Sequence, residues 1–122
     1  MAESKAVSDV KDILSPGGPV SQSLAGFERR PQQMQMACAV QRALMAGRRL
    51  AVEAGTGVGK SFAYLVPAVD LACREAGKVL ISTFTITLQE QLVNKDIPLL
   101  HECMPQPFTA VLAKGRGNYL CK

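Results

Sequence analysis

Apolar and polar positions divide the chain into helical stripes separated by short apolar runs. Val7, Val10, Ile13 and Leu14 recur at helical spacing behind Ser4, a residue suited to an N-cap, and Ser15-Pro16-Gly17-Gly18-Pro19 stops the pattern. A second short segment follows around Val20 to Leu24. Pro31 then stands where the first turn of a helix tolerates proline, and Met36, Ala37, Val40, Ala43 and Leu44 form one apolar face that ends at Gly47.

Beyond Gly47 the pattern changes period. Leu50-Ala51-Val52 is a short apolar run directly ahead of a glycine-rich segment, as expected of a buried strand feeding a phosphate loop. A helix from about Gly59 to Glu75 carries Phe62, Leu65, Val66, Val69, Leu71 and Ala72, with Pro67 expected to kink it and Gly77 to close it. Lys78 to Ser82 reads as a second strand, Thr85 to Asn94 as a helix and Thr109 to Leu112 as a third strand. This alternation predicts an α/β fold: a parallel sheet with right-handed crossovers and flanking helices.

The segment Ala54-Gly55-Thr56-Gly57-Val58-Gly59-Lys60-Ser61 carries the strongest chemistry. A triphosphate packs several negative charges together and needs many donors converging without side chains in the way. Gly55, Gly57 and Gly59 let successive backbone N–H groups turn inward, and the following helix adds its positive dipole end. Lys60 is placed to bridge the β- and γ-phosphates of ATP as a point charge, and the Ser61 hydroxyl to ligate Mg²⁺. The pattern departs from G-x-x-x-x-G-K-[ST] only at its first position, where Ala54 stands.

Composition narrows the setting. With 122 residues and 48% hydrophobic content, the chain is one domain or part of one. No apolar run approaches the roughly 20 residues that span a bilayer, so no membrane association and a cytoplasmic location are expected. Cys38, Cys73, Cys103 and Cys121 are scattered without a CxxC pair and read as reduced thiols. The net charge of +4 suits a polyanionic partner, but the basic residues are spread along the chain rather than grouped. His101 has no nucleophile or carboxylate pair around it, and Met34 and Met36 read as packing residues.

Four segments in order resemble the DinG family of ATP-dependent DNA helicases, relatives of XPD in helicase superfamily 2. Phe27-Glu28-Arg29-Arg30-Pro31-Gln32-Gln33 is similar to the family's Q-type motif, and Glu53 to Ser61 to its motif I. Ser82-Thr83-Phe84-Thr85-Ile86-Thr87-Leu88-Gln89-Glu90-Gln91-Leu92 resembles motif Ia, and Lys114 to Cys121 the segment with the first cysteine ligand of a [4Fe–4S] cluster. The resemblance implies an incomplete RecA-like P-loop NTPase domain. Residues 1–26 would be an N-terminal helix and linker, 27–112 the first part of the ATP-binding domain, and 113–122 the start of the cluster segment. It implies that Gln33, with Arg30, meets the adenine side of the nucleotide, since an amide pairs with both donor and acceptor edges. Thr83, Thr85 and Thr87 would lie on a single-stranded DNA path, and Cys121 would be a cluster ligand in the complete protein only. Translocation would run 5′ to 3′.

Hydrolysis by such machinery needs an acidic pair that holds Mg²⁺ and orients water, and arginines from a second motor domain. No apolar run here is followed by Asp-Glu. The chain is therefore expected to be the N-terminal ATP-binding portion of a helicase, with the second motor domain absent, and to neither hydrolyse ATP nor unwind DNA alone. A stand-alone nucleotide-binding or regulatory module, a truncated gene remnant, or a different P-loop enzyme such as a kinase are the alternatives.

Overall fold

The computed structural model describes residues 9–55, 57, 59–115 and 117. Ser4 and Val7 of the first stripe therefore lie outside the described residues. Helix α1, Val10–Leu14, is capped by Asp9, whose side chain accepts from the Lys11 N–H. Helix α2, Pro19–Ser23, follows the Pro-Gly turn and starts on its proline. Helix α3, Pro31–Ala46, begins on Pro31 and ends where Gly47 takes a left-handed conformation at φ 62°, as the sequence pattern requires.

Helix α4, Lys60–Glu75, runs through Pro67. An interior proline deletes one ladder hydrogen bond and costs about 3 kcal/mol. Here burial of Ala63, Leu65, Val66, Ala68 and Val69 around it offsets that cost. The left-handed residue that ends α4 is Ala76, at φ 50°, not the expected Gly77. An L-residue adopts that conformation at a cost of about 1–2 kcal/mol, and Gly77 lies beyond the helix in the irregular run that follows.

The helix expected over 85–94 is longer. Helix α5, Ile86–Gln91, passes into a π turn, Leu92–Asp96, and then into α6, Ile97–Cys103. Pro98 sits in the first turn of α6, where its missing N–H costs little. The π turn supplies the change of register: the Ile97 N–H reaches back to the Leu92 carbonyl, five residues away.

Helices α3 and α4 pack most extensively on each other, and α1, α2, the π turn and α6 close around them. One core results, with Val10, Ile13, Leu14, Val20, Ala37, Leu65, Val66, Leu92 and Leu100 buried in it. Cys103 joins that core, while Cys38 and Cys73 are half-buried free thiols. Met34 and Met36 pack against the core edge.

The parallel sheet expected from the alternation does not form among the described residues. The runs Leu50–Val52, 78–82 and 109–112 take no regular secondary structure and no ladder pairing. Leu80 is 90% exposed and Val111 87%. The reason lies in what each kind of element needs. Helices satisfy their own backbone and need one covered face, which α3 and α4 give each other. A parallel strand needs partners distant in sequence on its edges and cover on both faces. Among the described residues, no helix is long and apolar enough to cross a membrane.

Asp96, the last residue of the π turn, is 7% exposed, and its Oδ2 has no hydrogen-bond partner. Burial pushes its carboxyl above the ordinary carboxylate range, opposed by Gln91 and by the charge of Lys95. The raised value makes the folded state the better proton binder. This contribution to stability is thus complete below the unfolded pKa and is lost as pH rises through the folded one. Asp96→Asn is expected to raise stability at pH 7 by about 1 kcal/mol and to give no gain below the ordinary carboxylate range. Thermal melts of both proteins across pH check this.

Candidate functional site

The glycine loop leads into the N-terminus of α4, and that junction gathers most of the chemistry. Gly57 and Gly59 both stand at φ 80°, in the left-handed region, and Gly59 is the N-cap of α4. A side chain added at Gly55 or Gly57 would meet nothing within 4 Å, so both glycines border open space. Thr56 and Val58 lie outside the described residues.

Lys60, the first residue of α4, is exposed and folds its ammonium back to donate to the Ala54 carbonyl at 3.0 Å. This contact closes the loop from its first to its seventh residue and holds a positive charge over its mouth. Ser61, the second residue of α4, is half-buried.

Gln33 and Arg30 reach the same junction from the start of α3. Gln33 is buried, and its Nε2 donates to the Gly59 carbonyl at 3.1 Å. A Cβ at Gly59 would collide with that amide and would lie 3.6 Å from Arg30 Nη1. The structure therefore brings Arg30, Gln33, Ala54, Gly59, Lys60 and Ser61 together at one helix end. The family resemblance implies Gln33 only as an adenine contact; its hold on the loop is a finding of the structure. The signal was present in the polar Gln33 four residues ahead of buried Ala37 on the core-facing side of α3. Gln33→Ala removes one partly buried hydrogen bond and is expected to lower stability by about 0.5–1.5 kcal/mol, read as a lower melting temperature.

Two further residues were not singled out by the sequence. Tyr64 is half-buried one turn after Ser61, on the same helix face. Burial pushes its phenol up, the Ser61 hydroxyl beside it pulls it down, and the negative charge of Asp96 pushes it up again. Asp96 stands directly ahead of the apolar run Ile97-Pro98-Leu99-Leu100.

The motif Ia threonines are near the start of α5 but do not share the loop junction. Thr85 is its N-cap and accepts from the Leu88 N–H at 3.2 Å. Thr83 donates to the Thr85 carbonyl at 3.4 Å, and Thr87 is exposed in the first turn. Thr83 and Thr85 thus shape the backbone locally, whatever else they contact. His101, in the last turn of α6, is exposed and stacks on Phe108 with ring centroids 4.1 Å apart. Among the described residues, no group of three or more His, Cys, Asp or Glu side chains could hold a metal. Cys121 lies outside the described residues.

A glycine loop turned by two left-handed residues into a helix N-terminus, with lysine and serine first on that helix, is an arrangement built for anions. The chain belongs to the DEAD/DEAH box helicase family, whose model matches residues 30–110. That membership carries the RecA-like fold class. The chain is similar to the ATP-dependent DNA helicase YoaA of Escherichia coli, 44% identical over 110 residues, or 90% of this chain and 17% of that protein. It is 43% identical to the ATP-dependent helicase DinG of Mycobacterium tuberculosis over 125 residues, 99% of this chain and 18% of that protein. A 3′-5′ exonuclease DinG of Bacillus subtilis is 37% identical over 102 residues, 84% of this chain and 11% of that protein. The chain thus spans about a sixth of the length of the helicases it matches.

Proposed function

We propose that this chain supplies the ATP-binding portion of a DinG-like DNA helicase, which in complete form moves 5′ to 3′ along single-stranded DNA. The observation that carries the reading is the closed loop from Ala54 to Lys60, joined by the lysine ammonium on the Ala54 carbonyl, with open space at Gly55 and Gly57. In this reading the N–H groups from Gly55 to Lys60, with those of Thr56 and Val58, take the β- and γ-phosphates. Lys60 leaves the Ala54 carbonyl to bridge the β- and γ-phosphates.

The residues fit Mg²⁺ at the loop: Ser61 is the hydroxyl ligand at the helix start, beside the space the phosphates would fill. Mg²⁺, when bound, neutralises phosphate charge and fixes the angle of the phosphate chain. Gln33 keeps its amide oxygen and a second N–H for adenine while bonded to Gly59, with Arg30 beside it. Thr83, Thr85 and Thr87 face the DNA backbone, and Cys121 serves as a cluster ligand in the complete protein. The runs 50–52, 78–82 and 109–112 become the parallel sheet once strands lie between or beside them.

Relatives named helicases and one named an exonuclease share this segment, which supports nucleotide binding, and not the whole proteins' chemistry, as its own task. The sequence contains no Asp-Glu pair, which supports binding without turnover. Titration of a fluorescent ATP analogue and a phosphate-release assay on the same sample test this. Saturable binding is expected, with release no faster than in Lys60→Ala. Release well above that variant would contradict it.

A further inference from the structure

Three of the four phenylalanines, Phe27, Phe62 and Phe108, pack against the core, whereas Phe84 is 103% exposed. Its ring forfeits the burial through which aromatic side chains stabilise a fold. The backbone that presents it is nevertheless fixed on both sides. The Thr83 hydroxyl donates to the Thr85 carbonyl at 3.4 Å, across Phe84, and the Thr85 hydroxyl accepts from the Leu88 N–H at 3.2 Å. The bend at Phe84 is thus tied to the start of α5. Ser82, Thr83, Thr85 and Thr87 around it all carry hydroxyls, and Ser82, Thr85 and Thr87 are exposed. A flat exposed ring among hydroxyls matches the two halves of a nucleotide: a base with a π-face, and a backbone rich in acceptor oxygens.

We propose that Phe84 is a stacking platform for one nucleobase of single-stranded DNA. The inference rests on the DNA path proposed above for Thr83, Thr85 and Thr87, and adds to it a contact with a base. Stacking uses the face of the base and none of its hydrogen-bonding edges, so the platform accepts any base. The ring already stands clear of the core, so engaging it requires no local unfolding. It carries no charge, so it holds a base without neutralising a phosphate and leaves the salt dependence of binding to other residues. An apolar protein surface is the competing occupant. Such a surface would also use the exposed Ile86 and would accept an aliphatic side chain at position 84, whereas a base needs the π-face.

The test measures, by fluorescence anisotropy, the affinity for labelled oligothymidylate and for an abasic strand of the same length, in the parent chain, Phe84→Leu and Phe84→Trp. Phe84→Leu is expected to bind oligothymidylate at least about 5-fold more weakly, the lower end of one base–aromatic stack. Its binding of the abasic strand and its melting temperature should match the parent's, because the ring supports neither phosphate contacts nor the core. Phe84→Trp should bind oligothymidylate at least as tightly as the parent. Its emission, from the sole tryptophan of that variant, should be quenched by oligothymidylate and not by the abasic strand. Oligothymidylate binding by Phe84→Leu equal to the parent's would overturn the stack, and so would an equal loss on both strands. If the parent still binds the abasic strand in a salt-dependent way, the DNA path stands and only the stack falls. If the parent binds neither strand, the path falls, and the stack with it.

Discussion

Replacing Lys60 by alanine is expected to weaken binding of a fluorescent ATP analogue by about 10- to 100-fold, the loss of one charge-assisted hydrogen bond. The ammonium is exposed and held at the mouth of the loop by a single carbonyl, 3.0 Å away. It can exchange that weak acceptor for phosphate oxygens without disturbing anything buried. For the same reason the melting temperature should barely move, since an exposed side chain away from the core contributes within about 0.5 kcal/mol. Equilibrium titration together with a thermal melt separates the two effects. Equal affinity in the variant would remove Lys60 from the site.

The second large effect is expected at Gly59. Gly59→Ala combines a left-handed backbone, costing an alanine about 1–2 kcal/mol, with a methyl group that strikes the Gln33 amide and breaks its bond to the Gly59 carbonyl. The sum is about 2–3 kcal/mol of stability, with loss of nucleotide binding as α3 and the loop part. Gly57→Ala is the comparison. It shares the φ of 80° but meets nothing within 4 Å, so only the backbone cost applies. Chemical denaturation of both variants should rank Gly59→Ala as the more damaging; equal losses would show that the Gln33 contact contributes nothing.

Local signals were legible in the sequence because they act locally. Pro31 opens α3, Gly47 ends it, Thr85 caps α5 and the loop turns on Gly57 and Gly59, each through backbone preferences carried by one residue. What depends on distant partners was not. Leu50–Val52 has the composition of a strand, but a strand is made by its neighbours, and the exposed Leu80 and Val111 show runs that have none here. The π turn escaped notice because no single residue's backbone preference marks it. At the site, residue types pointed to Lys60 and Ser61 directly. Gln33 was found by resemblance and placed on the adenine, whereas its bond to Gly59 comes only from the way α3 lies on α4. Tyr64 and Asp96 belong to no motif and became visible only through burial and an unmatched oxygen.

The central claim is that the loop from Ala54 to Ser61 recognises the phosphates of a nucleotide. Competition at equilibrium tests it most directly, with ATP, ADP and AMP each displacing a fluorescent ATP analogue from the chain in the presence of Mg²⁺. ATP and ADP are expected to displace it far more effectively than AMP, which has no phosphate to reach Lys60. Equal displacement by all three, or no saturable binding of the analogue, would contradict the account.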